Sequence, residues 1–471
     1  MTEDLIWHGK EIDMKKRRII AAALSAVMLL SITACGSSES GTTTSATTTA
    51  DPRLADITDA VNTGAADDVI KAADEEDMTL VWMSHYDINP GPEKERSAEL
   101  ALFEDEYGGK VIYKATTWEN RFDDLATSII ADKAPDMFPY EWLAFPSGVM
   151  KGQYQPIDEL VDWESPLWSD MKQAADGFVY NGKHYVAPLY VIESLLLIYD
   201  KTAIEEDGLE DPYELYQNGE WDWNAWQRVM EGYVDAGEGR LGCINAFGRS
   251  IIMSTGETFV TYDGEKFTNN LKSANIQRAQ EFLGNLAKQG LTGNGEYMNA
   301  GSAFLNGNIL FYGSGRWDIK QSIRALAKAD HEAFVVPMPK DPQSDKLYVA
   351  ENLQATMWVT GSTKTAAMKA YLEANRRVQT EPEYIQQSKE TTLKNEMWTE
   401  EIYDAVQDIC SSKFDKVFDY GYGLSDEMSE LTETMYNVCC FENDQNTGWA
   451  NIRDTNNGLV DSLVESVNSR W

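Results

Sequence analysis

From residue 78 onward, short apolar runs alternate with stretches in which apolar residues recur every three or four positions. Thr79–Met83 reads as a strand, Ser97–Tyr107 as a helix with Leu100 and Phe103 on one face, and Lys110–Lys114 as the next strand. A chain that repeats this order must build α/β layers, and the pattern predicts largely parallel sheets. Further helices are expected at Trp223–Val234, where Trp226, Val229 and Met230 align, and at Ser273–Gln289, where Ile276, Ala279, Phe282, Leu283 and Leu286 align before Gly290 stops the turn. The last third is mostly helical, with helices at Ala366–Val378, Glu400–Ile409, Asp426–Val438 and Leu459–Val467. Trp221, Trp223 and Trp226 read as core and helix-start residues. With 471 residues, 43% of them hydrophobic and 25% charged, the chain holds enough core for two or three domains or one large two-lobed unit. No internal repeat is apparent.

The N-terminus is of another kind. Met14-Lys-Lys-Arg-Arg18 is a compact basic run and Ile19–Ser31 a 13-residue apolar stretch, together a signal peptide over residues 1–34. The acids Glu3, Asp4, Glu11 and Asp13 ahead of the basic run place the translation start at Met14. The apolar stretch is shorter than the ~20 residues of a membrane span, and no second one follows, so the mature chain is expected to be soluble. Ile32-Thr-Ala-Cys-Gly36 resembles the lipobox of bacterial lipoproteins, which makes Cys35 the lipidated first residue; two acyl chains suffice for stable attachment. Residues 35–77 then form a tether, rich in Ser, Thr and Gly up to Ala50, and the folded body begins near Met78. With 77 acids against 40 Lys and Arg, the net charge of −37 excludes nucleic acid and anionic lipid surfaces as partners.

Catalytic signatures are missing. The chain has no Walker loop, no dinucleotide glycine fingerprint, no nucleophile elbow and no His-Glu-x-x-His. His8, His85, His184 and His331 are dispersed, so no metal site and no cofactor are expected. Asp454–Glu465 imitates a calcium loop, but its Gly458 stands at the fifth position rather than the sixth, and the segment reads as a turn into the last helix. Cys243, Cys410, Cys439 and Cys440 allow either buried thiols or one bridge between the helices carrying Cys410 and Cys439.

Three strings follow in order. Ala134-Pro-Asp-Met-Phe138 leads to Gly152-Gln-Tyr-Gln-Pro-Ile-Asp-Glu-Leu160; Tyr180-Asn-Gly-Lys-His-Tyr-Val-Ala-Pro188 runs into Glu193–Lys201 and then Glu220-Trp-Asp-Trp223; Ala303-Phe-Leu-Asn-Gly307 precedes Ile309–Trp317 and Val335-Val-Pro-Met-Pro339. In order and spacing they resemble the extracellular solute-binding proteins of ABC importers, in the family that includes maltose-binding protein, from Met78 to the C-terminus. The resemblance implies two α/β lobes joined by a hinge around an interlobe ligand cleft. The lobes would be 78–190 with about 350–390, and 191–349 with about 391–471. It also implies a non-enzymatic, lipid-anchored monomer on the extracytoplasmic face of the bacterial membrane, which captures a mono- or oligosaccharide and hands it to the permease subunits of an ABC importer.

A sugar site needs flat rings to stack on and polar groups for hydroxyls. His85, Tyr86 and Asp87 follow the first strand, and Tyr140 and Trp142 the strand after Asp136, where ligand sites of α/β folds gather. By resemblance, Tyr140 and Trp317 fall at stacking positions and Glu193 at the crossover acid. Arg316 precedes Trp317; Asn245 and Arg249 lie in a polar loop after the Leu241–Ile244 strand; Asn352 and Gln354 lie near the second crossover; Tyr420 and Tyr422 flank Gly421 in a late loop. Leu143 replaces an acid that binds sugar hydroxyls in maltose-binding protein, which argues against maltose itself. The alternatives are an aromatic cage for an organic cation such as a polyamine or quaternary amine, a surface-tethered glycoside hydrolase, and an adhesive lipoprotein.

Overall fold

The computed structural model describes residues 77–471 except 92–94, 194, 294–298, 307, 412, 441–447 and 471, and leaves the side chains of 193 and 349–352 undescribed. The leader, Cys35 and the tether lie outside the described residues. Among the described residues no helix is long and apolar enough to cross a membrane.

The first strands are β1 (Thr79–Ser84), β2 (Lys110–Ala115) and β3 (Met137–Pro139), followed by a small hairpin of β4 (Val179–Tyr180) and β5 (Lys183–His184), and then β6 (Ala187–Glu193). Next come β7 (Leu196–Asp200), β8 (Leu241–Asn245), the hairpin β9 (Val260–Tyr262) and β10 (Phe267–Asn269), β11 (Thr292–Gly293), β12 (Ile309–Ser314) and β13 (Ala333–Pro337). The twelve-residue β14 (Leu347–Trp358) and β15 (Phe414–Val417) close the series.

Two separate sheets result. One has the order β15-β14-β3-β1-β2 with β6 also on β14; the other has the order β11-β8-β12-β7-β13. Both are mixed, which corrects the largely parallel sheets expected from the alternation. β1, β2 and β3 run parallel, as do β8, β11 and β12, but β14 is antiparallel to β3 and β6, and β7 is antiparallel to β12 and β13. The reversed strands are those flanking the passages of the chain from one sheet to the other and back. β6 ends at Glu193 just before β7 opens in the second sheet, and β13 leaves that sheet just before β14 re-enters the first. These two passages lie side by side, with Glu351 opposite Glu193 and Leu353 opposite Val191. Helical periodicity says nothing about the direction of such strands, so the sequence could not reveal them.

Helices form where the apolar spacing and caps agree. Asp222 accepts from the backbone N–H of Asn224 and Ala225, both at 2.9 Å, and starts the helix Trp223–Asp235, which buries Trp223, Trp226, Val229, Met230 and Tyr233. Ser273 caps Ala274–Lys288 in the same way, and Gly290 leaves it with φ +71°. Trp221, Trp223 and Trp226 are core residues as expected.

The last helix differs from expectation. It runs from Trp449 to Asn468, so Asp454–Gly458 is helix interior rather than a turn. A helical glycine costs only about 1 kcal/mol. Burial of Arg453, Val460, Val464 and Val467, together with paired bonds between Asn468 and Phe267 on β10, outweighs it. Arg249 sits on a short helix, Gly248–Met253, rather than in a loop, because Ile251, Ile252 and Met253 are drawn into the core. Tyr420 and Tyr422 likewise belong to a buried turn and the short helix Gly421–Leu424. Cys243, Cys439 and Cys440 are buried free thiols, so no bridge joins Cys439 to Cys410; burial pushes the Cys440 thiol well up.

Candidate functional site

The carboxyl ends of the parallel strands of both sheets border one cavity of about 520 Å³. His85 and Tyr86 follow β1, Trp118 follows β2, Pro139 ends β3, and Tyr140, Glu141 and Trp142 follow it. From the second sheet come Ala246 and Arg249 after β8 and Trp317 after β12. The passages between sheets supply Ile192, Leu195, Leu353 and Gln354, and the helix Asp426–Asn437 supplies Glu433 and Asn437. The carboxyl end of α/β strands is where such folds place ligands.

The rings are held by charged groups. The Arg121 guanidinium lies 3.7 Å from the Trp118 ring centroid, donates to the Trp118 carbonyl, and pairs with Glu141. Only 8% of Arg121 is exposed, whereas Trp118 is 46% exposed, so the ring has a covered inner face and an open outer one. The His85 ring meets Trp118 edge-on at 4.9 Å, and Trp142 stands at 89° to Trp118 with centroids 6.5 Å apart. Behind Trp142 lies Tyr422 at 4.4 Å, with the Arg249 guanidinium 5.1 Å from one ring and 5.8 Å from the other. Tyr422 donates to Glu433 at 2.5 Å and Asn437 donates to the same carboxylate at 2.6 Å.

Burial sets the protonation of the polar groups. His85 Nδ1 stands 3.3 Å from Glu141 Oε1 without hydrogen-bond alignment. Burial, reinforced by Arg121, lowers the His85 pKa and keeps the ring neutral at pH 7. Burial also raises the Glu141 carboxyl, against the pull of Arg121, and pushes the Tyr86 phenol up to about 12. Two acidic side chains, Glu141 and Glu433, line the cavity, and two guanidinium groups, Arg121 and Arg249, lie against its rings.

Trp317 is 55% exposed, and its ring folds back over Gly315. A Cβ on Gly315 would stand 2.2 Å from that ring. The backbone there is extended, φ −99°, so the ring and not the chain conformation demands glycine.

Of the residues singled out from sequence, His85, Tyr86, Tyr140, Trp142, Arg249, Trp317 and Gln354 come together in this cavity. Asp87 and Arg316 point away from it, into a separate polar cavity of about 350 Å³ beside Tyr190 and Trp398. Asn245 bridges strands through its Nδ2, which donates to the Gly313 carbonyl at 2.9 Å. Tyr420 packs in the core among Phe178, Tyr262 and Phe418 and donates to the Gly177 carbonyl. Tyr422 backs Trp142 from beneath. The side chains of Glu193 and Asn352 lie outside the described residues. Trp118, Glu141 and Glu433 were not anticipated. Trp118 stands three residues past the end of β2 and carries the same strand-end signal that marks His85. Among the described residues no group of three or more His, Cys, Asp or Glu is placed to hold a metal ion.

Comparison with known proteins bears on this arrangement. Diacetylchitobiose binding protein DasA of Streptomyces coelicolor is 23% identical over 268 residues, which cover 56% of this chain and 55% of that protein, so the match spans about half the length of the curated relative. The sugar-binding protein MalE of Xanthomonas citri superposes with a TM-score of 0.60 at 18% identity, covering 82% of this chain and 98% of that one. UgpB of Mycobacterium tuberculosis, solved with glycerophosphocholine, superposes with a TM-score of 0.60 at 15% identity, covering 82% and 99%. These likenesses show a shared two-lobed α/β fold. The model of the bacterial extracellular solute-binding proteins matches residues 90–374. The chain belongs to that family of non-enzymatic solute binders.

Proposed function

We propose that the protein captures a carbohydrate in the cavity between its two sheets and delivers it to the permease of an ABC importer. The observation that carries this reading is the set of three tryptophans, Trp118, Trp142 and Trp317, contributed to one cavity from both sheets and interleaved with Glu141, Gln354, Arg249 and Asn437. Sugars offer apolar C–H faces to such rings and hydroxyls to such polar groups. The names of DasA and MalE support a sugar, whereas that of UgpB cautions that the fold accommodates other solutes. A volume near 520 Å³ is in the range of small-molecule sites and suits a short oligosaccharide.

Ligand contacts to both lobes would favour a closed state, with the paired β6 and β14 as the hinge. In this reading the lobes are 78–190 with about 350–390, and 191–349 with about 391–471. The acylated Cys35 anchors the protein outside the cytoplasmic membrane, and residues 36–77 give it reach. The test is a thermal-shift screen of neutral mono- and oligosaccharides, amino acids, polyamines and glycerophosphocholine, followed by scattering with the best ligand. A neutral sugar that raises Tm and compacts the molecule supports the reading; stabilisation only by another class overturns it.

A further inference from the structure

The Trp118 platform of the cavity already carries positive charge on its hidden side. Arg121 lies 3.7 Å from the Trp118 centroid, is almost wholly enclosed, and is locked there by Glu141 and the Trp118 carbonyl. An aromatic face attracts a cation through its quadrupole, and here the inner face is spent on the guanidinium. A second cation on the outer face would stand roughly 7–8 Å from the first, across the ring, with Glu141 offsetting part of the repulsion. The C–H face of a neutral sugar meets no such repulsion. Arg249 stands 5.1 Å from the Trp142 centroid but itself lines the cavity, so among the two it is Arg121 that acts only through a ring.

We propose that Arg121 is the specificity-determining residue of this site. By covering the inner face of Trp118 it fixes the ring as a platform and turns its outer face against cations. Neutral and N-acylated sugars are accepted; amino sugars and polyamines are refused. The inference rests on the carbohydrate reading for its substrate class, and it argues against the aromatic-cage alternative. Arg121 acts through Trp118 and is a positioning residue.

The experiment titrates the full chain by calorimetry at pH 6 with N,N′-diacetylchitobiose, with its doubly deacetylated, cationic counterpart, and with spermidine. Wild type, Arg121→Met and Arg121→Gln are compared; the Gln variant keeps a neutral donor for Glu141 and the Trp118 carbonyl and serves if the Met variant does not fold. Wild type should prefer the acetylated disaccharide, and removing the guanidinium should narrow that preference by roughly tenfold, the like-charge penalty expected at this separation. An unchanged ratio in the folded variants, or a wild type that takes the cationic disaccharide or spermidine at least as tightly, overturns the proposal. If wild type binds none of the three, the carbohydrate reading fails for this class, and the ring itself decides. In 5-fluorotryptophan-labelled protein the Trp118 resonance, assigned with Trp118→Phe, should shift and broaden in Arg121→Met. A resonance that stays put shows that Arg121 does not position the ring.

Discussion

Replacing Trp317 with Ala separates a binding ring from a core ring. More than half of Trp317 is exposed, at 55%, and its ring lies across Gly315 instead of in an enclosed pocket. Truncation opens no internal void, so stability should stay within about 0.5 kcal/mol of wild type, as for surface substitutions. Trp226 is fully buried, and Trp226→Ala should cost about 3–5 kcal/mol through the cavity it leaves. Binding should show the reverse. An aromatic anchor carries at least ~2 kcal/mol of a ligand's affinity, close to a thirtyfold change in Kd. Urea denaturation measures the first quantity, and calorimetric titration with the sugar selected by the screen measures the second. If Trp317→Ala unfolds the protein or leaves Kd unchanged, the ring is not a stacking platform and the assignment of the cavity is wrong.

Gly315→Ala should weaken binding by roughly the same factor while leaving Tm within a few degrees, since the new methyl group must push the Trp317 ring aside without straining the backbone; equal affinity in a titration would show that the ring's position is immaterial. Burial raises the Asp419 carboxyl to about 6, against hydrogen bonds from Tyr436 and from the Gly421 and Val260 N–H groups. Its folded pKa lies above the unfolded one, so its stabilising contribution is complete below about 3.8 and is lost as pH rises through about 6, a swing of about 3 kcal/mol. The stability of Asp419→Asn relative to wild type should therefore climb by up to that amount between pH 4 and 7 in urea titrations, and a constant difference refutes the shift. Cys35→Ala should release the protein to the medium or leave it unprocessed; membrane-bound protein at normal mature mass would contradict the anchor.

Much of the candidate site was legible because strand ends are. His85, Tyr86, Tyr140 and Trp142 follow strands that the apolar runs reveal, and Trp317 follows β12 in the same way. The rule locates a segment but not a direction. Asp87 and Arg316 are next to Tyr86 and Trp317 in sequence yet line the other cavity, because the conformation of the chain beyond a strand's end, which the apolar runs do not encode, sets where each side chain goes. Residue type misleads for Tyr420 and Tyr422, since an aromatic ring serves core and cleft alike and only tertiary packing distinguishes them. Arg121 carried no signal at all. Its role depends on Glu141 twenty positions away and on a ring it covers from behind. The helix Pro382–Glu396 was invisible for a related reason: it buries no residue, so it has no apolar stripe to read.

In the proposed reading the cavity bordered by Trp118, Trp142 and Trp317 binds a neutral carbohydrate. Its most direct test is a calorimetric titration of the full chain with neutral di- and oligosaccharides, repeated in Trp142→Ala. Saturable one-site binding near micromolar Kd, about −8.2 kcal/mol, is expected, with an affinity at least tenfold lower in the variant. Heats that show no binding of any neutral sugar, alongside tight binding of glycerophosphocholine, an amino acid or a polyamine, would contradict it.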